Sequence, residues 1–194
     1  LKHNDIDIED IEGDLEFLKE TAKIFDFKVE EISAEEVQEV NVSSTKIRQS
    51  LLEGDIEKTN GFLGRPFRYS GVVVEGQKIG RTIGFPTANI EIKNQHKILP
   101  KDGVYAVRVQ IGGALIDGMM NIGMNPTVLA KESLEKKVEV HLFDFNTEVY
   151  GEHVAVFLYR YIRKEKTFSN LEALKSQLND DSKKVRNFFN HLEH

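Results

Sequence analysis

At Pro66 the hydrophobic pattern of this chain changes period, and that change constrains everything after it. Before that point apolar residues recur at helical spacing; after it they alternate, until helical spacing returns at Ser169. Tyr105, Val107, Val109 and Ile111 alternate with Ala106, Arg108 and Gln110, and Gly112-Gly113 then offers a hairpin turn into a return run from Ala114 to Ile122. Lys137 to Phe145 puts Val138, Val140 and Leu142 on one face and Glu139, His141 and Phe143 on the other. Val154 to Ile162 is another long strand. The pattern predicts a mainly β body, a barrel or sandwich of about six strands, with C-terminal helices packed on it.

The flanks supply the helices. Asp14 is a candidate N-cap for a stripe of Leu15, Leu18, Ala22 and Phe25, and Phe27 to Ile32 reads as a short strand. Ser43-Ser44-Thr45 caps a second helix through Ile47, Leu51 and Leu52, which stops at Gly54. Asp55 starts a third, broken by Gly61 and Gly64-Arg65-Pro66. At the far end Ser169-x-x-Glu172 reads as a capping box ahead of Leu171, Leu174 and Leu178, and Val185, Phe188 and Phe189 give a final helical stripe.

A length of 194 residues gives room for one sizeable core or two small domains. The net charge of −6 argues against a general nucleic-acid surface but leaves room for a local anion site. The absence of cysteine excludes disulfides, thiolate zinc sites and thiol catalysis. No apolar run reaches the length of a membrane span and no signal peptide is visible, so the expectation is a soluble cytoplasmic protein. The scattered histidines lack metal-binding spacing, and no Ser-His-Asp arrangement is suggested. The chain opens at Leu1 without Met and closes Leu192-Glu193-His194, which reads as the beginning of an appended tag. His191 beside it is not taken as a ligand.

One loop carries a chemical signal. Gly76-Gln-Lys-Ile-Gly80-Arg81-Thr-Ile-Gly84-Phe-Pro86-Thr87-Ala-Asn89 follows the Val72-Val73-Val74 run. Glycines after a strand let backbone N–H groups approach phosphate oxygens, and Thr87 and Asn89 are hard-oxygen residues able to meet magnesium. Arg81 is a candidate phosphate contact or a solvated loop cation. Read locally, the stretch is also a glycine-rich turn with Pro86 at a strand boundary, and it matches the P-loop pattern poorly.

The rest of the chain decides between these readings. In one order along residues 66 to 189 stand Gly71-Val-Val-Val-Glu-Gly76, Gly80-Arg81-x-x-Gly84-Phe-Pro-Thr-Ala-Asn89, Asp102-Gly-Val-Tyr105, Asn121-Ile-Gly123-x-x-Pro126-Thr127, Glu139-Val-His141-Leu-Phe-Asp144-Phe, Tyr150-Gly151 and Arg163-Lys-Glu165-Lys-x-Phe168. The series resembles the riboflavin kinase (flavokinase) family, and Gly-Phe-Pro-Thr-Ala-Asn is its most specific member. The resemblance implies a six-stranded antiparallel Greek-key-like barrel over residues 63–191, binding ATP, Mg2+ and riboflavin and releasing FMN.

It assigns Gly76, Gly80 and Gly84 to the nucleotide loop, Thr87 and Asn89 to magnesium and the ATP phosphates, and Glu139 to the base that takes the riboflavin 5′-hydroxyl proton. Strand parity agrees, since Glu139 lies on the polar side. Arg163, Glu165 and Phe168 fall where related kinases form a flap over flavin and nucleotide, with Phe168 against the isoalloxazine and Arg163 near phosphate. A surface charge pair and a core anchor are the alternatives for these two. Asn121, Thr127 and His141 are near-site candidates. Lys131 to Lys137 reads as a loop.

Residues 1–62 resemble the closing portion of the adenylyltransferase module, an α/β nucleotidyltransferase, that is fused to bacterial flavokinases. Gly13-Asp14, Phe25-Asp26-Phe27 and Val42-Ser43-Ser44-Thr45-x-Ile47-Arg48 carry that likeness. In that module the motif containing Ser43, Ser44, Thr45 and Arg48 helps hold a nucleoside triphosphate, through hydroxyls, helix N-terminal N–H groups and a guanidinium. The module's earlier histidine-glycine-histidine loop is absent, so FAD synthesis is expected of a longer parent protein and not of these residues unaided. A flavin-binding module without turnover, and a protein centred on FMN adenylylation, are the competing readings.

Overall fold

The structure is a computed structural model, and it describes residues 19–25, 28, 36–37, 40–76, 79–92, 97–123 and 136–192. The chain forms two compact units, residues 1–36 and 37–194. In the first, residues 19–25 are helical (α1), with Ala22 buried and Ile24 and Phe25 exposed. The expected Asp14 cap and most of the expected strand from Phe27 to Ile32 lie outside the described residues.

The second unit is built on a closed antiparallel barrel. Two short strands, β1 (Glu36–Val37) at the division between the units and β2 (Val40–Asn41) after it, precede α2 (Ser44–Glu53) and α3 (Ile56–Leu63). The barrel strands are β3 (Phe67–Val74), β4 (Ala88–Glu91), β5 (Gly103–Ile111), β6 (Ala114–Gly123), β7 (Lys137–Leu142) and β8 (His153–Arg163), closed in the order β3-β4-β7-β6-β5-β8. Closure removes sheet edges that would otherwise be open to pairing with other chains. A short helix α4 (Ile79–Thr82) sits in the glycine-rich loop, and α5 (Leu171–Leu192) ends the described chain. Among the described residues no helix is long and apolar enough to cross a membrane.

Alternation creates two cores. Inward residues, including Tyr69, Val107, Met120, Val140, Val156 and Leu158, fill the barrel. Two tyrosines inside it satisfy their hydroxyls on loop carbonyls: Tyr69 donates to Ile98 O at 2.6 Å and Tyr105 to Lys101 O. Outward residues Val104, Ala106, Met119 and Phe143 form a second cluster with Ile83 and Phe85 of the loop and Val185 and Phe189 of α5.

Several boundaries differ from expectation. Leu51 of α2 and Ile56 of α3 belong to the barrel's interior cluster. Ser50 and Thr59 share a buried hydrogen bond of 2.8 Å. Asn60 accepts from Phe67 N at 2.8 Å and donates to Leu158 O at 2.9 Å, tying α3 to β3 and β8. The compact units divide after Glu36, so α2 and α3 fall in the same unit as the barrel. Gly61 lies within α3, which ends at the left-handed Gly64. Asn170, not Ser169, caps α5, accepting from Ala173 N at 2.8 Å, because its carboxamide stands one residue before the first helical position. The two C-terminal stripes are one continuous helix. The strand expected to run to Phe145 stops at Leu142, where Asp144 takes φ 54° in a turn.

Candidate active site

Register places a row of polar side chains across three strands on the outside of the barrel. Asn89 of β4 pairs with Glu139 of β7, and Glu139 pairs on its other side with Asn121 of β6. Their neighbours Ile90, Val138, Val140, Met120 and Ile122 point into the core, so all three polar residues face outward. Directly opposed residues have Cβ atoms about 5 Å apart, close enough to act on one ligand.

The glycine-rich loop supports one end of the row. Its buried Ile83 and Phe85 anchor it in the outer cluster, and Phe85 N donates to Gly80 O at 2.8 Å. His141 Nδ1–H donates to Pro86 O at 2.8 Å, fixing the backbone just before Thr87. The His141 ring lies edge-on to Phe85 and Phe143, with centroids 5.1 and 5.7 Å away. Burial lowers its pKa below the ordinary histidine value; the Pro86 bond and Asp144 oppose the shift and Arg186 adds to it. Asp144 itself is held below its usual range by hydrogen bonds from Arg186, at 2.7 and 3.1 Å. Gly76 lies against the Asn89 side chain so closely that a Cβ there would fall 1.8 Å from Asn89 Nδ2.

The segment 164–168, between β8 and α5, forms the opposite side. Asn121 Nδ2 donates to Glu165 Oε1 at 3.4 Å. Arg163 binds Asp181 of α5, and its guanidinium stands 5.9 Å over the Phe168 ring. Lys166 Nζ donates to Gln177 at 3.0 Å. Between these walls is a cavity of about 280 Å³, lined by apolar residues (Ile83, Phe85, Val104, Met119, Leu174, Leu178) and by polar ones (Thr87, Asn89, Asn121, Glu139, His141, Glu165). Such a cleft suits a ligand with a flat apolar part and a reactive polar tail.

Nine residues singled out from sequence meet at this cavity: Gly80, Thr87, Asn89, Asn121, Glu139, His141, Arg163, Glu165 and Phe168. Gly76 stands behind Asn89. Arg81 does not line the cavity; it is exposed and paired with Glu148 at 3.2 Å. Gly84 sits in an exposed turn with φ 87°. The Arg163 guanidinium is engaged by a carboxylate, which is the charge-pair alternative, although the pair is buried and not superficial. Thr127 and most of the Lys131–Lys137 stretch lie outside the described residues. Ser43 caps α2, accepting from Lys46 N at 3.3 Å, and with exposed Ser44, Thr45 and Arg48 it does not line the cavity. Sequence reasoning missed Met119, Lys166, Leu174 and Leu178 as lining residues; the α5 stripe marked its leucines as core without showing that a cavity lies beneath them.

The closed six-stranded barrel thus carries a polar row on its outer wall, with α5 packed on that wall. Residues 63–189 match the family model for riboflavin kinase, over more than half of the chain, and the chain belongs to that family. It is 41% identical over 155 residues to the bifunctional riboflavin kinase/FMN adenylyltransferase of Bacillus subtilis, covering 80% of this chain and 49% of that protein. To the protein of the same name from Escherichia coli it is 38% identical over 179 residues, covering 92% and 56%. A Streptococcus pneumoniae crystal structure, named as a macrolide-efflux protein, is 36% identical with a TM-score of 0.76, covering 87% of this chain and 54% of that one. The chain spans about half the length of the curated relatives it matches.

Proposed function

We propose that this chain phosphorylates riboflavin on its 5′-hydroxyl, with ATP as donor, to give FMN. The observation that carries the reading is the Asn89–Glu139–Asn121 row, set in register across three strands and facing a half-apolar cleft. The apolar part of the lining receives the isoalloxazine and the polar row the ribityl chain. Glu139 takes the proton of the 5′-hydroxyl; that oxygen forms a bond to the γ-phosphorus, the bond from the γ-phosphorus to the β,γ-bridging oxygen breaks, and ADP leaves.

Magnesium is the metal this chemistry implies, and the donor set fits it. Among the described residues no group of three or more His, Cys, Asp or Glu side chains could hold a metal ion. Magnesium typically keeps several waters and takes only one or two protein ligands plus substrate phosphates. Thr87 and Asn89 would supply those protein oxygens, and the bound ion would neutralise phosphate charge. Gly80 contributes loop backbone, and His141 holds the Pro86 carbonyl so that Thr87 and Asn89 keep their places.

We also read residues 1–62 as the closing portion of an adenylyltransferase module, with Ser43, Ser44, Thr45 and Arg48 as its nucleotide-site residues. Support comes from the relatives, whose likeness extends beyond the kinase-family segment to cover 92% of the chain. The test is incubation with riboflavin, ATP and magnesium, with riboflavin, FMN and FAD resolved by chromatography. FMN is expected. A folded sample that consumes ATP without FMN, or makes none, refutes the kinase reading, and FAD from added FMN would show adenylylation in this chain.

A further inference from the structure

The apolar stripe of α5 runs Leu174, Leu178, Asp181, Val185, Phe189, and the aspartate within it is completely buried. A buried carboxylate survives in a folded protein only when fully paired and hydrogen-bonded. Asp181 meets that condition through one partner above all. Arg163 Nε approaches Oδ1 and Oδ2 at 3.0 and 2.9 Å, and Nη2 approaches Oδ2 at 2.7 Å. Gln177 Nε2, one turn earlier, donates to Oδ1 at 3.0 Å.

Arg163 reaches α5 because of irregularities in the barrel. The β5–β8 register shifts between Ala106 and Val107 and again between Val104 and Tyr105, where Val104 opposes Arg163 but Tyr105 opposes Tyr161. The residue left over, Ile162, is a bulge, and it re-aims the end of β8 so that Ile162 and Arg163 both serve the outer wall. Arg163 then holds the segment that follows it. Nη1 donates to Lys164 O at 3.0 Å and the guanidinium covers Phe168. Lys166 is tied to Gln177, which is itself bonded to Asp181. Glu165 projects from this segment onto Asn121, in the row that contains Glu139, and lies so close to Gly123 that a Cβ there would fall 1.8 Å from Oε1.

We infer that Asp181 is a positioning residue: through Arg163 it sets the strap 164–168, and with it Glu165 and Phe168, against the substrate cleft. A buried ion pair is a poor way to add stability compared with apolar residues of similar size, so geometry is the better account of this one. The inference rests on the riboflavin-phosphorylating reading for its substrate.

Two variants test it, Asp181→Asn and the double Arg163→Met/Asp181→Leu, the second removing the pair without leaving a buried lone charge. Thermal unfolding, hydrogen exchange and steady-state kinetics are measured on the whole chain. The expectation is a rise in riboflavin KM of about ten-fold or more with a much smaller change in kcat, as losing contacts from Glu165 and Phe168 that hold the flavin equally in ground and transition states predicts. Exchange should accelerate in 164–168 while β5 and β6 stay protected. Unchanged strap exchange in folded variants overturns the inference, as does global loosening with an unchanged KM, which would make the pair a structural brace only. If the parent chain makes no FMN the functional reading fails instead, and strap exchange with riboflavin affinity by flavin fluorescence still judges the clamp.

Discussion

Gly76→Ala should damage phosphate handling while leaving the barrel intact, and the size of the effect follows from one distance. The new Cβ would lie 1.8 Å from Asn89 Nδ2, whereas real Cβ contacts essentially never fall below 3.0 Å. The obstacle is a side chain, so Asn89 moves and the backbone need not; the required shift is about 1 Å or more. Gly76 is not among the glycines with positive φ, so alanine brings no left-handed strain of its own. A misplacement of about 1 Å in a positioning group costs about 10²-fold in rate. The expected result is therefore a fall of about 10²-fold in kcat/KM for Mg·ATP, with a melting temperature close to that of the parent. Gly112→Ala, in the β5–β6 hairpin turn, is the matched control. It has φ 58° and nothing within 4 Å of a new Cβ, so it should lose about 1–2 kcal/mol of stability from left-handed strain and keep its activity. The test is steady-state kinetics at varied ATP alongside urea unfolding for both variants. If Gly76→Ala keeps ATP kinetics close to those of the parent, or loses activity only in proportion to unfolding, Asn89 is not a phosphate-side group.

Glu139→Gln keeps the shape of the row but removes the base, so turnover should fall about 10²-fold or more while riboflavin binding persists; turnover near the parental value removes Glu139 from that role. Leu51→Ala should destabilise the barrel unit by about 2–5 kcal/mol, read as a lower urea midpoint, because Leu51 is buried in the barrel core. A loss well below that range would mean that α2 is peripheral. His141 makes stability depend on pH: its folded pKa lies below the ordinary 6.5, so the unfolded chain takes the proton first as pH falls. Its contribution should therefore decline from about pH 6.5 down to the lowered folded pKa and level off below it. Asp144 and Arg186 face the same ring, so the measurement is the difference in urea midpoints between parent and His141→Gln from pH 8 to 5, and a difference that does not change with pH would refute the assignment.

Much of this arrangement was legible because it is local. The alternation of Lys137 to Leu142 gave the outward face of Glu139, and Ser43, Gly54, Asp55 and Gly64 marked both ends of α2 and α3. The β5–β6 hairpin is readable from Gly112-Gly113 for the same reason. Pairing of β3 with β8 and of β4 with β7 joins segments far apart in sequence, and no local pattern states it. That pairing is what brings Asn89 beside Glu139, so their meeting was available only through family resemblance. Asp181 was opaque for a different reason. An acid in a helix reads as a solvated position, and only the fold shows Arg163 arriving opposite it.

The location of the cleft follows from the size of the barrel. With Tyr69, Tyr105, Met120 and Leu158 fully buried in its interior, the closed sheet has side chains where a larger barrel would have a lumen. A ligand must therefore bind outside, on a face where strand alternation permits polar residues. One sheet face alone is too open to exclude water, so a second wall is needed, and the chain supplies it after β8 with the strap and α5. The apolar contacts of Val185 and Phe189 fix one part of that helix on the barrel, while Leu174 and Leu178 remain over the cleft. Between those two groups stands Asp181, at the point where the helix changes from packing on the barrel to roofing the cavity. A polar, directional contact there gives the roof a defined distance from the polar row, which apolar packing without a fixed partner geometry would specify less tightly.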